Sequence, residues 1–180
     1  MDPQALQQLH EWKEFYGLEG AAAATLMGLL FVAVAFNSDL ILAGEHPQTK
    51  LRAEQAFQNY IAVLVVSLML LFPRMPLLTL ASFLVAQATI MIVFATYRLM
   101  KTARIPESGF SRTHHWRRLI PSILAYGFMV GGGCRLEGHF DMESFSLVGL
   151  GTLLLLVSAT ITSWELLIRV AEIRHAITKP

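Results

Sequence analysis

Five long stretches without a charged side chain constrain the fold of this 180-residue chain more than any other feature. They cover residues 20–38, 55–73, 75–97, 119–134 and 144–164. An α-helix rises about 1.5 Å per residue, so about 20 apolar residues are needed to cross the hydrocarbon of a bilayer. The sequence therefore predicts an all-α, polytopic membrane helix bundle with five transmembrane helices.

The stretch 119–134 is the shortest, with 16 residues, and it is bracketed by Arg118 and Arg135. Long arginine side chains reach the membrane interfaces from inside a span, so this segment is still able to form a thin crossing. We expect a single transmembrane domain over residues 1–180. Its spans are approximately 17–42, 55–73, 75–98, 119–134 and 144–168.

Composition agrees with a bilayer as the solvent. Hydrophobic residues make up 54% of the chain and charged residues 15%, compared with about 25% charged residues in soluble domains. The formal net charge of +1 gives no reason to expect a nucleic-acid partner. The single cysteine, Cys134, excludes an internal disulfide.

The basic residues predict the orientation. With five crossings, three of the fourteen Lys and Arg residues lie on the N-terminal side and eleven on the opposite side, six of them within 98–118. Without the fourth crossing the split falls to nine against five. Because cytoplasmic loops carry the excess of Lys and Arg, we expect five crossings, the N-terminus outside and the C-terminus in the cytoplasm.

The N-terminal segment has the pattern of an amphipathic helix. After a helix start at Asp2 and Pro3, apolar side chains recur at intervals of three or four residues, at Leu6, Leu9, Trp12 and Tyr16. We expect a short N-terminal amphipathic helix on the membrane surface, with its aromatic side chains at headgroup level. A helical lead-in that continues directly into the first span is the alternative.

Small residues indicate where helices pack. Gly20, Ala24 and Gly28 follow at four-residue spacing in the first span, and Gly127 and Gly131 form a GxxxG pair in the fourth. Helices in a bilayer associate by close backbone approach at such residues. We expect the first and fourth spans to pack closely, either on each other or across a subunit boundary in a homo-oligomer.

The polar residues of the predicted spans form two groups, one inside a span and one at the cytoplasmic ends of the spans, which we call the rim. Gln87 lies roughly 15 Å into its span, where an interhelical hydrogen bond is expected and a pore-lining or ligand role is the alternative. No charged residue or histidine falls near the middle of a predicted span, which disfavours a pump. The other candidates gather at the cytoplasmic ends of the spans: Asn37, Asp39, Gln58, Asn59, Arg98, Glu165 and Arg169.

This rim has two interpretations. A solvated edge with local ion pairs is the first, and an inner vestibule or docking face that selects ions or a cytoplasmic partner is the second. The basic loop over residues 98–118 is the predicted place for a cytoplasmic protein partner and for anionic lipid.

Candidate metal ligands occur on the outer side. His10 and Glu14 are four residues apart, and His139 and Asp141 alternate in the loop RLEGHFDMES. Imidazole with carboxylates would hold a divalent cation if the two segments met, but a solvated surface is the favoured interpretation. No catalytic motif and no cofactor loop occurs, so we expect no cofactor and favour a protein that is not an enzyme.

Two families resemble parts of the chain. The segments FYGLEGAAAATLMGLLFVAVAFNSDL and LRAEQAFQNYIAVLVVSLMLLFP resemble small bacterial inner-membrane proteins, some of them labelled modulators of the membrane protease FtsH. This resemblance covers roughly the first 75 residues and implies a bacterial inner-membrane location. LRAEQAFQNYIA also looks slightly like a helix of the membrane glutathione and eicosanoid enzymes. Here Glu54 precedes Asn59 and no later Glu follows at their interval, so such an enzyme is not expected.

Three functions follow, in order. The first is a non-enzymatic, self-associating integral membrane protein that acts as an interaction or accessory subunit. The second is a homo-oligomeric ion channel or pore with a polar cytoplasmic mouth, and the third is a membrane enzyme or metal-binding protein.

The predicted orientation is testable with reporters fused to each end of the chain. Five crossings with the N-terminus outside put the two ends of the chain in different compartments. We expect a reporter that works in the periplasm to be active at the N-terminus, and a reporter that works in the cytoplasm to be active at the C-terminus. The measurement is the activity of both reporter types at both ends. Activity of one reporter type at both ends would contradict the five-span arrangement.

Overall fold

All regular structure in the described residues is helical, as predicted. The structure is a computed structural model and describes residues 3–42, 47–73, 75–103, 112–138 and 142–178. Its elements are α1 Pro3–Phe36, α2 Ser38–Leu42, α3 Pro47–Leu71, α4 Leu77–Ala103, α5 Arg112–Gly138 and α6 Met142–Thr178.

The N-terminal segment is not a separate surface helix. It continues without a break into the first apolar stretch, so α1 runs for 34 residues, and the helical lead-in is the correct alternative. The reason is packing: the Tyr16 side chain is only 1% exposed, and its hydroxyl donates a hydrogen bond to the Phe145 backbone oxygen of α6. Tyr16 therefore joins α1 to α6 as part of one continuous helix.

The break between α3 and α4 follows from the two prolines of the segment FPRMP. The first helix ends at Leu71 and the second begins at Leu77, on either side of Pro73 and Pro76. Proline has no backbone N–H to donate and clashes with the preceding turn, so it ends the helix. The two helices consequently form an antiparallel hairpin, joined also by a hydrogen bond from Gln87 Nε2 to the Ala62 oxygen at 3.2 Å.

Helix α6 is the centre of the bundle. It packs on α5, α3 and α1, while α4 packs chiefly on α5. Contacts along α5 and α6 run in opposite order, because Ser122 meets Ser158 while Gly132 lies against Val148. The two helices are therefore antiparallel.

Helix α1, in contrast, runs parallel to α6. Tyr16 of α1 bonds to Phe145 and, one turn further, Glu19 bonds to Thr152. Both helices therefore begin at the same end of the bundle, and the start of α1 and the end of α6 lie at opposite ends.

Four of the helices are long and apolar enough to cross a membrane. Within the described residues the candidate spans are His10–Phe36, Thr49–Leu71, Leu77–Tyr97 and Glu143–His175. In α5 the residues with described side chains are 120–136, which is shorter than a candidate span. The chain is thus a helical protein with the composition of a membrane protein.

Close helix contacts are made by glycines, but not in the predicted pairing. Gly20 of α1 lies against α3, where an added Cβ would be 2.9 Å from the Ser67 Cβ atom. In α5 the tightly packed glycines are Gly132, against α6, and Gly133, against α4. The described parts of α1 and α5 do not pack on each other, because α3 and α6 lie between them. Packing of the first and fourth spans within one chain was therefore wrong.

The remaining predicted packing positions point away from the bundle. An added Cβ would meet nothing within 4 Å at Gly28, Gly127 or Gly131, and Ala24 is exposed. Packing of these small residues on another subunit, the alternative given above, stays a prediction.

Two neighbouring glycines give a matched test of the α5–α6 contact. A Cβ at Gly132 would lie 2.7 Å from Val148 Cγ2 and 2.9 Å from the Ser144 backbone oxygen, whereas one at Gly131 meets nothing. We expect Gly132→Ala to lower the free energy of unfolding by about 1–3 kcal/mol through overpacking. Gly131→Ala should be neutral or stabilising, since alanine is the better helix former. Unfolding titrations in mixed detergent measure both, and equal effects would contradict the packing.

Candidate functional site

A carboxyl group is buried between α1 and α6. Glu19 lies at the middle of α1 and is only 4% exposed. Its Oε2 atom accepts a hydrogen bond from Thr152 Oγ1 at 2.8 Å. Its Oε1 atom has no hydrogen-bond partner among the described residues. Glu19 is therefore an ionisable group within a candidate span, held by one hydroxyl.

Glu19 lies inside the candidate span His10–Phe36, whereas the sequence analysis placed it at the boundary of the first charge-free stretch. The sequence pattern missed it because Glu19 directly precedes the charge-free stretch 20–38 and was taken as its boundary. Once α1 extends back to Pro3, that boundary becomes the helix centre. Ionisable residues inside membrane spans are costly and commonly functional, but Glu19 alone does not define a pump.

Aromatic side chains cluster on the N-terminal side of Glu19, where α1 packs on the first turns of α6. Trp12, Phe15, Tyr16 and Phe145 form edge and tilted ring contacts with centroids 5.2 to 6.5 Å apart. Gly149 of α6 permits this approach, because an added Cβ would lie 3.2 to 3.3 Å from the first three rings. The Gly149 backbone oxygen also lies 3.0 Å from Thr152 Oγ1, so the aromatic cluster and the Glu19 pair share one turn of α6.

A second polar cluster joins α3, α5 and α6. Tyr126 OH donates to Asn59 Oδ1 at 3.1 Å, and Asn59 Nδ2 donates to Ser122 Oγ at 3.2 Å. Ser122 Oγ and Ser158 Oγ are 3.3 Å apart. All four residues are buried, so these hydrogen bonds replace water in the bundle interior.

The cluster lies deeper than the sequence indicated. Asn59 was expected at the cytoplasmic rim, but α3 begins at Pro47, which makes Asn59 its central residue, about 18 Å from either end. Its partners Ser122, Tyr126 and Ser158 also lie within three residues of their helix midpoints. Asn59 therefore connects α3 with α5 by two side-chain hydrogen bonds.

Polar contacts continue towards the end of α6. Tyr60 OH donates to Thr160 Oγ1 at 3.3 Å, and Ser163 Oγ donates to Tyr60 OH at 3.4 Å. Further on, Arg52 Nη1 and Glu165 Oε2 form a partly buried ion pair at 3.5 Å. The predicted rim residue Glu165 thus pairs with α3, and Arg169 lies half-buried one turn beyond it.

Among the side chains that the structure describes, the other predicted rim residues make no hydrogen bond to this pair. Asn37 Nδ2 donates to the Ala33 oxygen of its own helix, and Asp39 is exposed beside Ser38. Gln58 is half-buried. Arg98 belongs to α4, but its side chain lies outside the described residues. Gln87 makes the interhelical bond to α3 that the sequence favoured.

Metal binding gains no support from the described residues. His10 Nε2 and Glu14 Oε1 form an exposed contact at 3.3 Å, and within the described ranges no group of three or more His, Cys, Asp or Glu side chains converges. The predicted ligands His139 and Asp141 lie outside the described residues.

Sequence reasoning missed Tyr16, Glu19, Ser122, Tyr126, Thr152 and Ser158. Part of the signal was present, because α6 carries buried hydroxyl residues on one face at Ser144, Thr152, Ser158 and Thr162. Comparison of the chain with protein-family models, curated proteins and solved structures finds no match. The fold and the site together define a helical protein whose long apolar helices are joined by buried side-chain hydrogen bonds.

The Glu19–Thr152 pair gives a direct test of the buried site. Thr152→Val removes the only described hydrogen-bond partner of a buried carboxyl at nearly constant volume. We expect the free energy of unfolding to fall by about 1–3 kcal/mol. Thr89→Val is the matched control, because among the described residues that exposed hydroxyl bonds to the Val85 oxygen of its own helix and to no other group. An equal effect of the two substitutions in detergent unfolding titrations would show that Glu19 does not depend on Thr152.

Proposed function

We propose that this chain is an integral membrane protein with five crossings that self-associates and acts, without catalysis, as an interaction or accessory subunit. The observation that carries the proposal is a small-residue face on α5 that the fold leaves uncovered. Gly127, Gly131 and Cys134 are all exposed, and they follow one another at spacings of four and three residues. Such spacing places them on one side of a helix.

The fifth crossing is supported by the length of the α5–α6 contact. The two helices touch from Ser122 and Ser158 at one end to Gly132 and Ser144 at the other. Fourteen residues separate the two α6 positions, which corresponds to about 21 Å of helix. A helix that follows a candidate span over most of its apolar length shares its depth in the bilayer, so α5 is proposed to cross with it.

The orientation rests on helix direction and on charge. Helices α1 and α6 are parallel, and α5 is antiparallel to α6. If the bundle crosses a membrane, the start of α1 and the end of α6 therefore lie on opposite sides of it. Eleven of the fourteen basic residues then share the C-terminal side, which is typical of a cytoplasmic face. We place the protein in the bacterial inner membrane, with residues 98–118 available to a cytoplasmic partner.

The buried polar clusters favour an interaction subunit over a pore through one chain. Asn59, Tyr126, Ser122 and Ser158 bond to one another between packed helices. Side chains engaged in this way join helices together and line no open path.

The exposed α1 surface offers a second small-residue face. Gly17 and Gly28 have open space where a Cβ would lie, and Ala21 and Ala24 are exposed between them. Two uncovered faces on different helices allow one chain to contact both a second copy and another membrane protein.

The native cysteine reports on α5 self-association. In a two-fold symmetric pair built on Gly127 and Gly131, the same residues of two parallel helices face each other. Cys134 would then lie opposite its counterpart, within reach of a disulfide. We expect copper-phenanthroline oxidation of membranes to give a disulfide-linked dimer on non-reducing gels. Gly131→Leu should reduce that dimer several-fold.

Two controls make the test decisive. Cys134→Ser should give no dimer, and Gly28→Leu, an equally open position on α1, should leave the crosslink unchanged. A native mass spectrum that shows only monomer would overturn self-association. Dimers by mass without the Cys134 crosslink would exclude the α5 face.

A further inference from the structure

An open groove of about 720 Å³ lies between the first part of α1 and the first turns of α6. Trp12 and Phe15 form one wall, Leu150 and Leu153 line the opposite helix, and Glu11 and Glu143 contribute carboxylates. The volume is within the range of small-molecule sites. Its lining combines aromatic, aliphatic and acidic groups.

These groups are arranged by depth. Glu11 and Glu143 lie at the beginnings of the candidate spans His10–Phe36 and Glu143–His175, which is headgroup level in a membrane-embedded bundle. Leu150 and Leu153 lie about 10 and 15 Å further along α6. Both leucines are more than 40% exposed, so they face the lipid side of the bundle. The groove therefore begins in a charged region and continues into an apolar one, which is the shape of an amphiphile.

The charges at the headgroup end are of both signs. Arg135 Nη2 of α5 lies 3.1 Å from Glu143 Oε2, and the two side chains remain 53% and 73% exposed. An ammonium group complements the carboxylates of Glu11 and Glu143. A phosphate complements the guanidinium of Arg135.

From this arrangement we infer that the groove binds a phospholipid with a primary ammonium headgroup, of the phosphatidylethanolamine type. The ammonium group contacts Glu11 and Glu143, the phosphate contacts Arg135, and one acyl chain lies along Leu150 and Leu153. The inference rests on the proposed membrane crossing and is independent of self-association.

Native mass spectrometry of the full chain tests it. The detergent-solubilised protein receives equal amounts of phosphatidylethanolamine and phosphatidylglycerol with identical acyl chains. We expect at least about threefold more bound ethanolamine lipid, since the acidic groups repel an anionic headgroup. Ser146→Trp fills the groove from its exposed edge and should remove the retained lipid. Val157→Trp adds the same indole to an exposed position of α6 outside the groove and should not.

A second variant tests the headgroup contact. The double substitution Glu11→Gln and Glu143→Gln should lower retention of the ethanolamine lipid by about three- to tenfold, as expected for two exposed charge contacts, and abolish its preference over phosphatidylglycerol. Equal retention of the two lipids by the unaltered protein would overturn the proposal, as would a Ser146→Trp variant that keeps the lipid. If lipid is lost only from the dimer, a second copy of the chain occupies the groove, and the lipid proposal is overturned. Dimer peaks in the same spectra separate failure of this inference from failure of self-association.

Discussion

The exclusion of water from the space between packed helices is the constraint on which this structure depends. A polar side chain buried there loses its hydrogen bonds to water, and several of those in this bundle regain one from a neighbouring helix. Helix α6 supplies most of these partners, with Thr152 for α1, Ser158 for α5 and Thr160 for α3. Helix α6 therefore carries hydroxyl groups along its length, and these groups hold three other helices against it.

Glycine has two different roles along α5, and they divide its surface. Gly132 and Gly133 bring α6 and α4 close, and a methyl group at either would meet atoms within 3 Å. Gly127 and Gly131, one turn apart, meet nothing. The same residue type thus builds the bundle on one side of the helix and leaves a smooth face on the other, which is the face proposed for contact between chains.

Charge-free stretches were sufficient to predict the helices, and the proline pair was sufficient to predict the break before α4. They could not predict the interior, because a charged residue was taken as the end of a span. Glu19 is buried beside Thr152, 133 residues later, which provides its hydrogen bond. Asn59 was placed at a helix end for a similar reason, since Lys50 and Arg52 obscured the start of α3 at Pro47. Which glycines of α5 face inward depends on neighbouring helices that local spacing does not specify.

The order of the helices along the chain has a consequence for biogenesis. Ribosomes deliver the N-terminal part first, so α1 with its Glu19 carboxyl is made before α6. The hydroxyl that bonds this carboxyl lies 133 residues further along the chain. The contact between α1 and α6 therefore forms late, and a chain that stops before α6 keeps the Glu19 carboxyl without its Thr152 hydrogen bond.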